Sequence, residues 1–237
     1  MLMETVSVNG IKIYPFENID ELLETALKSK KILIAINAGK IYNATDESRS
    51  LINNNIGYID GVGAQIAVHK KGAEKAIRIP GCDLWLEIIS RTFRNGGKYY
   101  FIGARQETIE KVIKRLKADY PGITILNYRN GYLSSEEERQ KLIDDIALKK
   151  PEYVFVAMGS PKQELLMKDM AAVHPAVYQG LGGSFDVYAG EVSRAPEWYI
   201  KHNLEGIYRV FTNLNGTRLK RLWKDMLCML NIYIGKY

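Results

Sequence analysis

Metal-binding side chains are scarce in this chain. Its histidines are His69, His174 and His202, and its cysteines are Cys82 and Cys228. None stands at a spacing that would close a zinc site, so no metal site is expected. Two distant cysteines in 237 residues read as reduced, buried thiols of a cytosolic protein, not as a disulfide framework. No apolar run reaches the roughly 18 residues that a membrane-crossing helix needs. Glu4 and Asn9 interrupt the opening stretch, so no secretory leader is expected. Internal repeats and low-complexity tracts are missing. So are the signatures of P-loop nucleotide binders, zinc proteases, serine esterases and protein kinases. Gly61-Val62-Gly63-Ala64-Gln65-Ile66 is the nearest approach to a dinucleotide fingerprint, but it lacks the third glycine and follows an acid. An NAD-dependent enzyme is therefore not expected.

What is present is an ordinary globular composition, 46% apolar and 25% charged, with a formal net charge of +6. Short apolar runs at Ile32–Ile36, Ile56–Ile59, 99–102, 123–126, 153–156 and 176–181 read as strands. Amphipathic stretches at Ile19–Ser29, 82–94, 107–119, 135–149 and Lys162–Val173 read as helices. Ser134-Ser135-Glu136-Glu137-Glu138 is a helix start, and Pro121-Gly122 closes the helix before it. Near-continuous apolar strands alternating with helices predict an α/β fold, a Rossmann-like, mostly parallel sheet covered on both faces.

Ligand sites of such sheets lie beyond the carboxyl ends of the strands, and the chemistry-bearing residues cluster at those turns. The strand ending in Ala157-Met158 leads into Gly159-Ser160-Pro161-Lys162-Gln163-Glu164, a tight turn followed at once by a helix. Backbone N–H groups and a positive helix terminus make such a point suited to an anion. A second glycine turn, Gly180-Leu181-Gly182-Gly183-Ser184-Phe185-Asp186, and then Ser193-Arg194-Ala195-Pro196 follow. Together they offer a Lys, an Arg, an Asp and two flexible turns, the parts of a nucleotide-sugar diphosphate site. Asp60, after 56–59, is a candidate general base, or else an N-cap of a helix at 65–70. Asn37 could bind a sugar or phosphate oxygen, or cap a helix. Gly103-Ala104-Arg105 could hold a nucleotide through backbone amides and Arg105, or form an ordinary strand-to-helix loop.

The composition changes after Pro196. Tyr208, Phe211, Trp223, Tyr233 and Tyr237 mix with Arg209, Arg218, Lys220, Arg221 and Lys224. Leu219, Leu222, Trp223, Met226, Leu227, Leu230, Tyr233 and Ile234 recur at helical spacing. A division follows: a catalytic domain at 1–195 and a basic amphipathic appendage at 196–237. The appendage could lie in an anionic membrane interface, pack on the domain core, or join subunits of a homo-oligomer. Positive charge gathered on an apolar-striped tail, without an RNA- or DNA-binding module, argues against a nucleic-acid partner.

Taken together these residues resemble the WecG/TagA/CpsF family of bacterial glycosyltransferases, over nearly the whole chain. The anchors are Ile36-Asn37-Ala38, Asp60-Gly61, Ile79-Pro80-Gly81-Cys82-Asp83-Leu84-Trp85, Ala157-Met158-Gly159-Ser160-Pro161-Lys162-Gln163-Glu164, Gly182-Gly183-Ser184-Phe185-Asp186 and Arg194-Ala195-Pro196. The stretch 157–164, with Val173-His174-Pro175, is most similar to the WecG branch, which transfers N-acetylmannosaminuronic acid; the TagA branch transfers N-acetylmannosamine. The resemblance implies a UDP-sugar donor, a polyprenyl-diphosphate-linked N-acetylglucosamine acceptor and an inverting, metal-independent reaction without a cofactor. It implies a peripheral enzyme on the cytoplasmic membrane face, whose tail reaches the lipid, in surface-polysaccharide or wall teichoic acid synthesis. It implies catalytic roles for Asp60, Gln163 and Arg209, the last steadying a diphosphate. Asn37, Gly103, Arg105, Gly159, Ser160, Pro161, Lys162, Gly182, Gly183, Asp186 and Arg194 are the expected substrate-binding set. Two departures stand out: Ala35 where members often carry Thr, and Gly206 where they commonly carry Trp. A UDP-sugar-binding protein without catalysis would reuse the same glycine turns and is the competing reading.

Overall fold

A computed structural model describes residues 4–196, 198, 199, 208 and 227–235. In chain order the elements are β1 (Val6–Val8), β2 (Ile11–Ile13), α1 (Ile19–Ser29), β3 (Ile32–Ile36), α2 (Ala38–Tyr42), α3 (Asp46–Asn53), β4 (Ile56–Ile59) and α4 (Val62–His69). Then come α5 (Gly81–Thr92), a short 3-10 turn at Phe93–Asn95, β5 (Lys98–Gly103), α6 (Gln106–Asp119), β6 (Thr124–Arg129), α7 (Glu136–Lys149), β7 (Tyr153–Ala157), α8 (Lys162–Val173), β8 (Val177–Gly180) and α9 (Ser184–Tyr188). Six strands make one parallel sheet in the order β4-β3-β8-β7-β5-β6, flanked by helices, and the fold is Rossmann-like.

The expected strands and helices are all present, with shifted ends. The helix read at 65–70 begins earlier, at Val62, because Gly61 and not Asp60 is its N-cap. The strand read at 123–126 runs on to Arg129 as a sheet edge, where no residue is fully buried and Asn127 and Arg129 interrupt the apolar run. The N-terminal hairpin went unread although Asn9-Gly10 signals it. Both residues take positive φ (+50° and +74°), the backbone that a two-residue hairpin turn demands, and Val8 pairs with Ile11 across it.

The chain divides into two compact units. The second, 18–35 with 79–192, owns most of the sheet. Its strands carry near-continuous β-branched and aromatic residues because both faces are covered; every residue of β7 and β8 is buried. Trp85 of α5 is 1% exposed and meets Phe155, Phe185 and Tyr188 edge-on at centroid distances of 5.9, 5.6 and 5.1 Å. Each such aromatic pair adds about 0.5–1.5 kcal/mol beyond area burial. The helices begin on caps written in the sequence: Asn18 accepts the Glu21 N–H, and Ser135 accepts the Glu138 N–H ahead of three acids in the first turn.

The first unit holds 1–17, 36–78 and 193–237. The described C-terminal stretch thus belongs with the Asp60 segment. Within it Cys228 and Ile232 are fully buried, Asn43 points its side-chain amide at Cys228 Sγ (3.9 Å), and Lys70 donates to the Tyr233 carbonyl while lying 4.6 Å from that ring's centroid. Leu227, Leu230, Tyr233 and Ile234 remain more than half exposed. The described part of the expected stripe therefore faces solvent, while the stretch packs into the unit through Cys228 and Ile232, which the stripe did not include. Its earlier part, from Leu219 to Met226, lies outside the described residues.

Candidate functional site

The turns that follow β3 and β4 both lie in the first unit. The N–H groups of Asp60 and Gly61 donate to the Ile36 carbonyl at 3.0 and 3.3 Å, tying the Asp60 turn to the Asn37 turn. Two glycines make the approach possible. A Cβ on Gly61 would stand 3.1 Å from Asn37 Cβ, and one on Gly63 would stand 2.7 Å from Ala38 Cβ. Asp60 is half-buried, and no side chain caps α4, so the capping reading of Asp60 does not hold. Asn37 is different. It is the N-cap of α2, and its Oδ1 accepts the Lys40 N–H at 3.0 Å. Its capping role is met inside the protein.

In the second unit the turns after β5, β6 and β7 are laced together. Gly103 has φ +141°, and a Cβ there would collide with the Ala157 carbonyl. The Ala104 N–H donates to that carbonyl at 3.1 Å, and the Gly131 N–H donates to the Ala104 carbonyl at 3.0 Å. Gly131 sits so close that a Cβ would lie 3.0 Å from Met158 Cγ. Sequence reasoning passed over Gly131, though Asn130-Gly131 is a turn dipeptide.

Arg105 forms an ion pair with Glu191 at 3.2 Å. Glu191 also accepts from Thr108 Oγ1 at 2.8 Å and Lys111 Nζ at 3.0 Å. The Thr108 hydroxyl, Lys111 and Arg105 together hold the Glu191 carboxyl down at about 2. The structure thus binds Arg105 into an anchor between the start of α6 and the segment after α9. Glu191 carries no marker in the sequence, since a lone acid in a loop reads as surface.

The turns after β7 and β8 form the most organised part of the site. Gly159 and Gly182 both take positive φ (+78° and +58°). Their N–H groups donate to one atom, Oε1 of Gln163, at 3.2 and 3.0 Å. Gln163 is 5% exposed; its own N–H donates back to the Gly159 carbonyl at 3.0 Å, and its Nε2 donates to Glu164 Oε1 at 3.4 Å. A buried side chain thus takes up the N–H groups of both Gly159 and Gly182. Ser160, Pro161 and Lys162 are exposed, and α8 begins after Pro161 with no side-chain cap on its N-terminus. Gly183, exposed, is the N-cap of α9. Asp186, half-buried in α9, has its carboxyl raised, first by burial and then by the Glu191 charge, against a lowering from Arg105. A carboxyl so placed suits a hydroxyl better than a phosphate.

Arg194 is exposed in the first unit beside the buried Ala195. Arg209 lies outside the described residues, as does Gly206. Among the described residues no three His, Cys, Asp or Glu side chains group closely enough to hold a metal ion, and no helix is long and apolar enough to cross a membrane. Compared with known protein families, residues 6–236 match the model described as glycosyl transferase WecG/TagA/CpsF family.

Proposed function

The chain belongs to the WecG/TagA/CpsF family of glycosyltransferases, and on that premise we propose that it moves an N-acetylmannosaminuronic acid or N-acetylmannosamine residue from a UDP-sugar to polyprenyl-diphosphate-linked N-acetylglucosamine. The observation that carries the reading is the pair of positive-φ glycine turns after β7 and β8, held by one buried amide and followed by the exposed Lys162 and the half-buried Asp186. Such turns let a diphosphate approach the backbone, the uncapped end of α8 contributes its dipole, and Lys162 adds a cation. Asp186 fits a sugar or ribose hydroxyl.

Chemically, Asp60 takes the proton from the acceptor 4-hydroxyl as that oxygen attacks the anomeric carbon. The bond from that carbon to the UDP oxygen breaks, the electron pair leaves with UDP, and the configuration inverts. The leaving diphosphate needs fixed positive partners, and the proposal gives this role to Lys162, Arg194 and Arg209. An Arg fork matches phosphate oxygens better than an ammonium does. Membrane association at the cytoplasmic face belongs to the same proposal. The exposed Leu227, Leu230, Tyr233 and Ile234 and the basic residues between Arg209 and Lys224 support it.

The deciding experiment incubates the full chain with a synthetic lipid-diphosphate N-acetylglucosamine and each of the two UDP-sugars, and weighs the product. One donor should add a single sugar mass to the lipid and release UDP in equal amount. Release of neither product from either donor would overturn the reading.

A further inference from the structure

We propose that Gln163 is a positioning residue that acts on the reaction through the two glycine turns, without touching the sugar. Its acceptor oxygen is committed to two amides, those of Gly159 and Gly182, and its amide nitrogen faces Glu164. Its own backbone N–H closes back on the Gly159 carbonyl, so the clip and the turn it grips are one loop. Only 5% of the residue is exposed, which leaves little of it to meet a ligand. The turns it joins follow two neighbouring strands, β7 and β8, paired from Tyr153 with Val177 to Val156 with Gly180. Gly159 and Gly182 have no side chain of their own to hold them, and open space surrounds the position a Cβ would take at each. The N–H groups of both glycines share one acceptor, so the two turns are tied to each other through Gln163.

Gly180 is the counterpart. A Cβ at Gly180 would stand 2.5 Å from Gln163 Nε2 and 2.9 Å from Gln163 Cδ. Its backbone needs no glycine, since it is a strand residue outside the positive-φ set. Glycine is required there because the clip passes over it. Hence the requirement at 180 and the amide at 163 are one device, which sets the spacing of the two turns before a donor arrives. This rests on the proposed function only in that UDP is the ligand probe.

The test uses the full chain with Gly180→Ala, Gln163→Ala, the double variant and Gln163→Glu. Gly180→Ala should displace the clip without removing it. Exchange protection of the Gly159 and Gly182 amides, read by NMR, should fall about tenfold in both single alanine variants, the size of one lost hydrogen bond. UDP affinity should fall in parallel, donor KM should rise by a similar factor, and acceptor KM should stay put. In the double variant Gly180→Ala should add nothing, because the group it displaces is gone. Gln163→Glu keeps the acceptor oxygen and, with the proton that two facing buried carboxyls share, should retain the protection of both amides. The proposal is overturned if Gly180→Ala exchanges and binds UDP like the parent, or if Gln163→Ala loses turnover with donor KM intact, since Gln163 would then work at the reacting atoms. If the parent binds no UDP, the donor reading fails, and the exchange data still decide the clip.

Discussion

Asp60 sits at the end of a fully buried strand, half-buried itself and with no helix to cap. Asp60→Asn keeps the size and loses the base, so it should cut turnover by about 10²–10⁴-fold, the usual worth of a positioned proton acceptor. Donor affinity, measured by calorimetry, should stay within about threefold, because general-base catalysis acts on the transition state and not on donor binding. Near-normal turnover would remove Asp60 from the base role. At Glu191 the prediction concerns stability. Its carboxyl is held at about 2 by Thr108, Lys111 and Arg105. An unfolded Glu titrates near 4.3. A group depressed on folding stabilises the native state above its unfolded value and loses that contribution as pH falls through its folded value. The parent should therefore melt higher than Glu191→Gln at neutral pH, and the gap should close between about pH 4.3 and pH 2. A gap that persists at pH 2 would mean that the anchor works by packing and not by charge.

Among the elements, the helical stretch 227–233 makes the sharpest claim, because its two faces have different jobs. Ile232 is fully buried and Leu230 is 56% exposed. Ile232→Ala should cost about 2–5 kcal/mol, the range for large-to-small core changes. Leu230→Ser should stay within about 0.5 kcal/mol of the parent in thermal denaturation, as surface changes do. Equal effects would mean that the stretch is not docked as described. Elements with a strong period were readable from sequence: β3, β7, α1 and α7 stand where apolar runs and capping residues put them. Short α3 and α9 were not read, and α2 shows in the sequence only through its cap Asn37, since a helix of five to eight residues completes too few turns to show a period. Asp60 reads as a possible cap for a related reason. The apolar period is plain only from Gln65 onward, and the glycines ahead of it hide the true start.

For the whole molecule, the question is what the tail is for. Removing everything after Pro196 should abolish sedimentation with anionic vesicles, as the basic, apolar composition demands. It should also lower the melting temperature, because Cys228 and Ile232 belong to the interior of the first unit. A truncated chain that melts like the parent would show that the tail docks without stabilising; one that still pellets would place the lipid contact elsewhere. The α/β class, the strand-helix order and the residues at each turn were determined by sequence alone, because they follow from local periods, caps and composition. Which of those residues are committed to partners inside the protein was decided only by tertiary structure. Gln163 turned inward to two amides, Arg105 turned to Glu191, and Asn37 closed on its own helix. A side chain's partner depends on what folding brings beside it, and no spacing along the chain encodes that.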